Sequence, residues 1–327
     1  MPDKTLSDTG EIQTLQRLCR NLPTRDDVRV GAGDDCAVVN FEDPRLHVAG
    51  RKPAPGTSYD WLLKTDPVIE GVHFASETSA AAVGHKALGR VLSDIAAMGG
   101  EPLWILIDVV APPGTPSSRI DEMYKALSAL ASRYDVAVVG GDIARGPVLE
   151  LHVFGVGRVK RGKAVLRSGA KPGHNLFVTG SLGGSGAARH LCFEPRVTEG
   201  RWLCEEGWAS AMIDLSDGLA SDIRRLTDRS RTGAELALDS IPLSEAVLDH
   251  AHGCSPLHHA LTDGEDFELL FTVPEEKAKS LPSAWKKEFD LACTCIGSMT
   301  ATQGVVECID RDGNRTRLEE SGYDHFA

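Results

Sequence analysis

The stretch from Ala211 to Leu226, AMIDLSDGLASDIRRL, places two aspartates and a serine where a predicted buried strand gives way to a helix. With a side-chain period of two, Asp214 and Ser216 share one face of the strand end, and Asp217 lies at the turn beside them. Carboxylates this close repel each other unless a hard cation neutralises them, and Mg²⁺ prefers such oxygen ligands. The alternative is a helix N-terminus that is capped by Ser216 or Asp217. Taken alone, the stretch leaves both interpretations open.

Other aspartates lie at similar positions, each at a strand end, a glycine turn or a helix face. A pocket lined by so many carboxylates suits several divalent cations, and polyphosphate is the natural ligand of such a pocket. The sequence has no Ser-His-Asp signature, no Walker motif and no protein-kinase motif set, so the predicted chemistry is phosphoryl transfer through a metal cluster. A single Gly-Asp-Asp turn is also ordinary hairpin chemistry. The other aspartates are Asp34 with Asp35, Asp66, Asp94 and Asp142.

Residues 79 to 98 have the apolar spacing of a helix and end at two glycines and a proline. Lys86, Arg90 and Asp94 fall at four-residue steps on one face of this predicted helix. They could form a solvent-facing ion-pair ladder, in which each pair contributes only tenths of a kcal/mol. They could instead direct a metal ligand and phosphate-binding cations toward a site. The spacing does not decide between the two.

Predicted strands and helices alternate along the chain, which indicates an α/β fold. In the first half, the segment VAVVGGDIARG repeats the pattern of a strand, glycines and an aspartate. A basic segment over residues 160–171 connects the halves, and the second half begins with NLFVTGSLGGSGAARHL, which predicts a strand, a glycine-rich turn and a helix. We expect two domains, residues 1–157 and residues 158–327.

The composition is that of an acidic globular protein. Its 327 residues are 42% hydrophobic, and 47 Asp and Glu against 35 Lys and Arg give a net charge of -12. This charge argues against a nucleic-acid partner, because phosphate backbones bind basic surfaces. No stretch reaches the roughly 20 apolar residues that span a membrane, and the N-terminal segment lacks the apolar run of a secretory signal. Eight scattered cysteines favour reduced thiols, so we expect a cytoplasmic protein with no membrane partner.

Eight motifs follow one another over almost the whole chain: GAGDDCAVV, KTDPVIEGVHF, KALGRVLSDIAAMGGEP, VVGGDIARG, RSGAKPG, MIDLSDGLASD, TDGEDFELLFTVP and GYDHF. In this order they resemble the thiamine-monophosphate kinase family, which belongs to an ATP-binding superfamily with aminoimidazole ribonucleotide synthetase and selenophosphate synthetase. The resemblance implies that ATP phosphorylates thiamine monophosphate to thiamine diphosphate by direct in-line transfer assisted by several Mg²⁺ ions. It also implies a homodimer whose mixed N-terminal sheets pair into a barrel-like core, each followed by a C-terminal α/β domain with a mixed sheet and flanking helices.

The same resemblance implies roles for individual residues. The expected Mg²⁺ ligands are Asp35, Thr65, Asp66, Asp94, Asp142, Asp214 and Asp217, of which Asp35, Asp142 and Asp217 are expected to be catalytic. The expected ATP contacts are Gly141, Asp142, Arg167 and Ser216. The expected substrate contacts are His73, Glu265 and Tyr323, with the Tyr323 ring stacked on the thiamine. No general base is expected, because a phosphate acceptor with a second pKa of about 6 is largely ionised at neutral pH.

Four positions depart from the family's usual pattern. Lys64 stands where the family has Ser before Thr-Asp, and because an ammonium has no lone pair for Mg²⁺, one metal position could be lost or replaced by its charge. Ile143 and Ala144 stand where two threonines are usual, and Val91 replaces an asparagine. Two alternatives therefore stay open: a divergent enzyme that acts on another phosphorylated small molecule, and a non-catalytic ATP-binding regulator.

Overall fold

The computed structural model of the protein describes residues 6–19, 25–40, 58–185, 188–249 and 253–326. These residues form two mixed sheets, one of six strands and one of seven, with flanking helices. The sequence of residues 42–59 is rich in proline and glycine, which predicts an exposed connection, but most of this segment, residues 42–57, lies outside the described residues. Within the described ranges, no helix combines the length and the apolar character needed to cross a membrane.

The N-terminal part of the chain forms the six-stranded sheet. Its elements are α1 (Leu6–Cys19), β1 (Val28–Val30), β2 (Ala37–Val39), β3 (Tyr59–Ile69), α2 (Ala80–Ala97), β4 (Glu101–Ala111), α3 (Ser117–Arg133), β5 (Ala137–Arg145) and β6 (Glu150–Lys160). The strand order is β1-β2-β3-β6-β4-β5. Strands β4 and β5 run parallel, and the other neighbouring strands run antiparallel. The predicted domain boundary after residue 157 lies near the end of β6 and stays a prediction.

The C-terminal part forms the seven-stranded sheet, in the order β13-β12-β9-β11-β7-β10-β8. Strands β9 and β12 run parallel, and the other pairs run antiparallel. The elements are β7 (Asn175–Thr179), α4 (Val197–Glu205), β8 (Ala211–Asp214), α5 (Leu219–Ser230), β9 (Gly233–Ala237), α6 (Glu245–Asp249), α7 (Pro256–Thr262), β10 (Leu269–Val273), α8 (Glu275–Ala278), α9 (Leu281–Glu288), β11 (Cys293–Thr300), β12 (Val306–Ile309) and β13 (Arg315–Arg317).

The helix α2 lies between the two parts of the chain. It contacts β3, β4 and β6 of the first sheet, and it also contacts β8 and α4 of the C-terminal part. The Ser79 hydroxyl accepts a hydrogen bond of 3.3 Å from the backbone N–H of Ala82 and so caps its first turn. Met98 is the C-cap of the helix, and Gly99 follows with a φ of 69°. The helix predicted over residues 79–98 is therefore confirmed.

Two hydrophobic cores hold these layers together. The first combines Leu62 and Leu92 of the N-terminal part with Met212 and Phe271 of the C-terminal part, so it crosses the junction between the sheets. The second lies within the C-terminal part and is built around residues such as Leu226. Because the first core is shared, the two parts pack on each other rather than being joined by a free linker.

One predicted turn and one predicted helix do not form as the sequence predicts. The glycines before Asp142 do not form a turn, because β5 continues through Gly140 and Gly141, and a register shift against β4 absorbs the irregularity. The helix predicted after β7 is reduced to the short 3₁₀ helix Arg189–Leu191. Part of that predicted helix, residues 186 and 187, lies outside the described residues.

Gly84 allows α2 and α3 to approach closely, since a Cβ at this position would lie 2.1 Å from the carbonyl oxygen of Met123. We expect Gly84→Ala to lower the free energy of unfolding by about 1–3 kcal/mol through overpacking. In an exposed helix the same substitution ordinarily stabilises by about 1 kcal/mol, so the sign of the effect is diagnostic. Urea denaturation measures it.

The matched control is Gly114→Ala, where no atom of the described residues, apart from Gly114 and its two chain neighbours, lies within 4 Å of the added Cβ. We expect this change to stay within about 0.5 kcal/mol of the parent protein. A Gly84→Ala protein as stable as the control would show that the two helices do not need this close contact.

Candidate active site

Three buried carboxylates from different elements meet between the two sheets. Asp35 comes from the turn between β1 and β2, Asp94 from α2, and Asp214 from the end of β8. One carboxylate oxygen of each lies within 4.8 Å of the others. Burial, followed by the charge of Asp35, raises the pKa of Asp214 to about 7, and burial raises the pKa of Asp94 well above its usual value. We call these residues the aspartate triad, and their oxygens fit a hard cation such as Mg²⁺.

A lysine and an arginine contact the carboxylates next to the triad. The Nζ of Lys64 lies 2.8 Å from Asp94 and 3.6 Å from Asp66. Lys64 and Asp66 are two residues apart on β3, so both side chains are on the face that packs against α2. Arg90, one turn before Asp94 on α2, lies 3.6 Å from Asp66. Basic side chains of the protein itself therefore contact both Asp66 and Asp94.

Asp35 and Asp214 have partners of different charge. The guanidinium of Arg167 donates to both carboxylate oxygens of Asp35, at 2.7 and 3.2 Å, and the Arg167 backbone N–H donates to Asp34 at 3.1 Å. Burial, followed by the charge of Asp35, raises the pKa of Asp34 to about 6. Asp214 instead accepts a hydrogen bond of 2.6 Å from the neutral hydroxyl of Ser93. Within the triad, Asp214 thus has a hydroxyl group where Asp35 has a cation.

The turn after β8 is held by the Asp222 carboxylate. Its Oδ2 accepts the backbone N–H groups of both Ser216 and Asp217, each at 3.0 Å. Arg225 then pairs with Asp222 at 2.6 Å and also with Asp217. The helix α5 begins after Gly218 without a side-chain cap. The capping alternative for Ser216 and Asp217 is therefore wrong.

Glu265 lies in a network of positive and polar groups. The fully buried Lys86 donates to Glu265 at 2.8 Å and to the carbonyl oxygen of His73 at 2.6 Å. His190 and Arg90 lie 3.0 and 3.3 Å from the Glu265 carboxylate. Burial raises the pKa of Glu265, but the hydrogen bond from His190 and the charge of Lys86 outweigh it and lower this pKa to about 2. The face of α2 that carries Lys86, Arg90 and Asp94 points into the protein, so the alternative of a solvent-facing ion-pair ladder is wrong.

A cavity of about 170 Å³ lies beside these groups. Its lining includes the three predicted substrate residues, His73, Glu265 and Tyr323, together with Arg90 and Asp217. Arg90 contacts both Asp66, next to the triad, and Glu265, in the cavity wall. The structure therefore places the predicted substrate residues next to the carboxylates predicted to bind metal.

His73 is a neutral histidine with a free donor. Its Nδ1 accepts the backbone N–H of Ile69 at 3.1 Å, which leaves the proton on Nε2. That Nε2 is buried and, among the described residues, has no hydrogen-bond partner. Burial, followed by the charge of Arg90, lowers the pKa of His73 to about 3. The imidazole can therefore donate a hydrogen bond to a ligand in the cavity.

The end of the chain packs against the turn that carries Asp217. The backbone N–H of Tyr323 donates to the carbonyl oxygen of Asp217 at 2.9 Å. A Cβ at Gly322 would lie 1.7 Å from that oxygen, so only glycine allows this approach. Tyr323 is 47% exposed, and its ring lies edge to face with the ring of His325, with the ring centroids 4.9 Å apart. An aromatic face thus borders the cavity.

Three predicted residues lie away from the triad within one chain. Thr65 alternates with Lys64 and Asp66, so its exposed side chain is on the opposite face of β3. Asp142 and Gly141 are exposed on β5, three strands from β3, a distance of roughly 14 Å at about 4.8 Å per strand. Their roles stay predictions.

Several contacting residues were not anticipated from the sequence. Asp222 and Arg225 had a signal, since an acid in the first turn with an arginine three residues later is a common helix pair. His190 had no such signal, because it lies in a segment predicted as helix and is 104 positions away from Lys86, its partner at 2.6 Å.

Known proteins resemble this chain over nearly its whole length. Residues 33–159 match the AIR synthase related protein, N-terminal domain, and residues 171–309 match the corresponding C-terminal domain. Thiamine-monophosphate kinase of Escherichia coli (strain K12) is 36% identical, with 97% of this chain and 98% of that protein covered. The enzyme of the same name from Rhodopirellula baltica is 38% identical, with 89% of each covered.

A solved structure, AaThiL complexed with AMPPCP and TMP, is similar with a TM-score of 0.81 and 30% identity, covering 99% of this chain and 100% of that chain. Its fold and the two matched domains agree with the sheets and the junction described above. The chain belongs to the thiamine-monophosphate kinase family of AIR synthase related proteins.

Proposed function

We propose that the protein transfers the terminal phosphoryl group of ATP to thiamine monophosphate, which gives ADP and thiamine diphosphate, in the cytoplasm. The observation that carries the proposal is the chain of contacts from the cavity lined by His73, Glu265 and Tyr323 to the aspartate triad. Arg90 in the cavity wall contacts Asp66, and Lys64 contacts both Asp66 and Asp94 of the triad. The names of the relatives and the AMPPCP and TMP bound to the similar structure support the same pair of substrates.

The chain's residues act by positioning and by charge neutralisation. Asp35, Asp94 and Asp214 are the residues that would hold Mg²⁺, which when bound neutralises phosphate charge and orients the phosphoryl group. Arg167, already in contact with Asp35, supplies a fixed positive charge for the phosphates of ATP. The acceptor needs no general base, because its phosphate, with a second pKa of about 6, is largely ionised at neutral pH.

The cavity supplies groups that fit the acceptor. Arg90 presents a planar guanidinium, which suits a phosphate group, and the His73 Nε2–H is a free donor. The ring of Tyr323 can stack on an aromatic ring of thiamine. The other expected roles are also part of the proposal: ATP contacts for Gly141, Asp142 and Ser216, and Mg²⁺ ligation by Thr65, Asp142, Asp217 and the Asp66 oxygen that does not face Lys64.

We also propose a homodimer formed through the N-terminal domain, residues 1–157, with residues 158–327 as the C-terminal domain. Trp104, Leu106 and Val139 are 42%, 40% and 58% exposed on the outer side of the six-stranded sheet, and β5 is an edge strand of that sheet. Exposed edges and apolar patches are ordinarily covered in folded proteins. The same face of a second copy would cover this surface and form a barrel-like core.

The first experiment is an assay of the purified protein with ATP, Mg²⁺ and thiamine monophosphate that follows ADP and thiamine diphosphate. We expect both products in equal amounts. One alternative is a non-catalytic regulator. It is favoured by the contact of Lys64 with Asp94, because the lysine ammonium occupies space beside the triad. Mg²⁺-dependent ATP binding without either product would support that alternative, and ADP release with another phosphorylated acceptor would support a divergent enzyme.

Asp214→Asn tests the aspartate triad. We expect turnover at saturating substrates to fall about 100-fold or more, because a charged Mg²⁺ ligand is replaced by a neutral amide. In EDTA we expect the variant to unfold at a higher temperature than the parent, since burying a third carboxylate beside Asp35 is unfavourable. Asp228→Asn, at an exposed aspartate of α5, is the control. Normal turnover of Asp214→Asn would remove this residue from the site.

Tyr323→Ala tests the substrate end of the cavity. We expect KM for thiamine monophosphate to rise at least about 5-fold, because ring stacking contributes about 1 kcal/mol, while KM for ATP stays unchanged. Tyr323→Phe keeps the ring and should behave like the parent protein. A rise in KM for ATP instead would place the end of the chain at the nucleotide.

Val139→Lys tests the proposed dimer. We expect the parent protein to sediment with twice the mass of one chain and the variant with the mass of one chain, because lysine charges would be buried in the interface. Leu248→Lys changes a comparably exposed leucine, 56% exposed, in the C-terminal domain and should leave the dimer intact. A dimeric Val139→Lys protein would exclude this face as the interface.

A further inference from the structure

Lys64 lies between two carboxylates that face each other across β3 and α2. Its Nζ is 2.8 Å from Asp94 Oδ1 and 3.6 Å from Asp66 Oδ2. The three side chains are only 23%, 7% and 17% exposed for Lys64, Asp94 and Asp66 respectively. A lysine side chain is ordinarily an ammonium, and here it has a carboxylate partner on either side. Lys64 therefore places a positive charge between Asp66 and Asp94.

The charges around the triad are nearly balanced by the chain itself. The triad and Asp66 contribute four carboxylates, and three of these contact a basic side chain, from Arg167, Lys64 or Arg90. The remaining one, Asp214, accepts a hydrogen bond from a serine hydroxyl. A divalent cation among the triad oxygens is compatible with this arrangement, because Asp214 has no ion pair with a basic side chain among the described residues.

Between Asp66 and Asp94, in contrast to the triad, there is no room for a divalent cation. Mg²⁺ binds carboxylate oxygens at about 2.1 Å, so an ion that bridged these two residues would lie within the volume that the Lys64 ammonium fills. Two positive centres that close also repel each other strongly at a site with little solvent. The oxygens of Asp66 and Asp94 that face Lys64 are therefore not free to bind a metal ion.

We infer that the Lys64 ammonium takes the place of a divalent cation between Asp66 and Asp94, so that the protein binds one metal ion fewer than it would with a small neutral residue at position 64. The inference rests on the proposed Mg²⁺-dependent function, and it makes Lys64 a positioning residue that holds both carboxylates. The triad keeps its own divalent ion.

The experiment counts bound Mn²⁺ per chain from the electron paramagnetic resonance signal of free Mn²⁺, at saturating AMPPCP. We expect Lys64→Ser to bind one Mn²⁺ more than the parent, because removing the ammonium frees oxygens of Asp66 and Asp94. We expect Lys64→Arg, the matched control that keeps the charge, to bind the same number as the parent. Equal, non-zero counts for the parent and Lys64→Ser would overturn the inference alone. No Mn²⁺ binding by either protein would overturn the proposed metal-dependent function as well.

A second measurement uses the parent protein and does not depend on the folding of a variant. Crystals grown with Mn²⁺ and AMPPCP should show an anomalous peak among the triad oxygens and none between Asp66 and Asp94. An anomalous peak within ligand distance of both Asp66 and Asp94 would overturn the inference.

Discussion

The structure depends on how the repulsion among its buried carboxylates is offset by neighbouring basic side chains. The contacts that offset the repulsion also connect the two parts of the chain. Arg167, beyond the first sheet, binds Asp35 in the turn between β1 and β2, and Ser93 of α2 binds Asp214 of β8. Lys86 of α2 reaches Glu265 in the C-terminal part. The electrostatics of the candidate site and the attachment of the two domains are therefore one set of interactions.

The backbone near Glu265 shows a second way in which the site is held. Glu265 has a φ of 54°, a left-handed conformation that costs a residue with a Cβ about 1 kcal/mol or more. Its backbone N–H donates to the carbonyl oxygen of Ser216 at 2.7 Å, and a Cβ at the preceding Gly264 would lie 2.8 Å from the same oxygen. The neighbouring turn thus fixes this conformation. Strain at a residue that lines the cavity is consistent with a carboxylate held in place for binding.

Periodicity and residue type predicted much of the fold and part of the site. The ends of α2 could be predicted because Ser79 and the glycines after Met98 are local signals, and the carboxylates could be predicted because each lies at a strand end, a turn or a helix face. Local sequence signals do not show which residues that are distant in the chain pack against each other. They could not show that Lys86 would be fully buried, that β5 would run straight through its glycines, or that Asp142 would lie three strands from β3.

The packing between the domains limits how substrates can enter. The core that crosses the junction includes Leu92 of α2 together with Met212 and Phe271 of the C-terminal sheet, all without significant exposure. A hinge opening of the two domains would expose this apolar surface, at a cost of about 25 cal/mol for each Å². Movements of the surface segments around the cavity cost less. The chain end with Tyr323 is one such segment, since Tyr323 is 47% exposed and the contacts that hold its backbone are hydrogen bonds, from Tyr323 to Asp217 and from Gly322 to the Ser221 hydroxyl. Entry past this chain end, with the domain junction closed, is therefore the route that the packing favours.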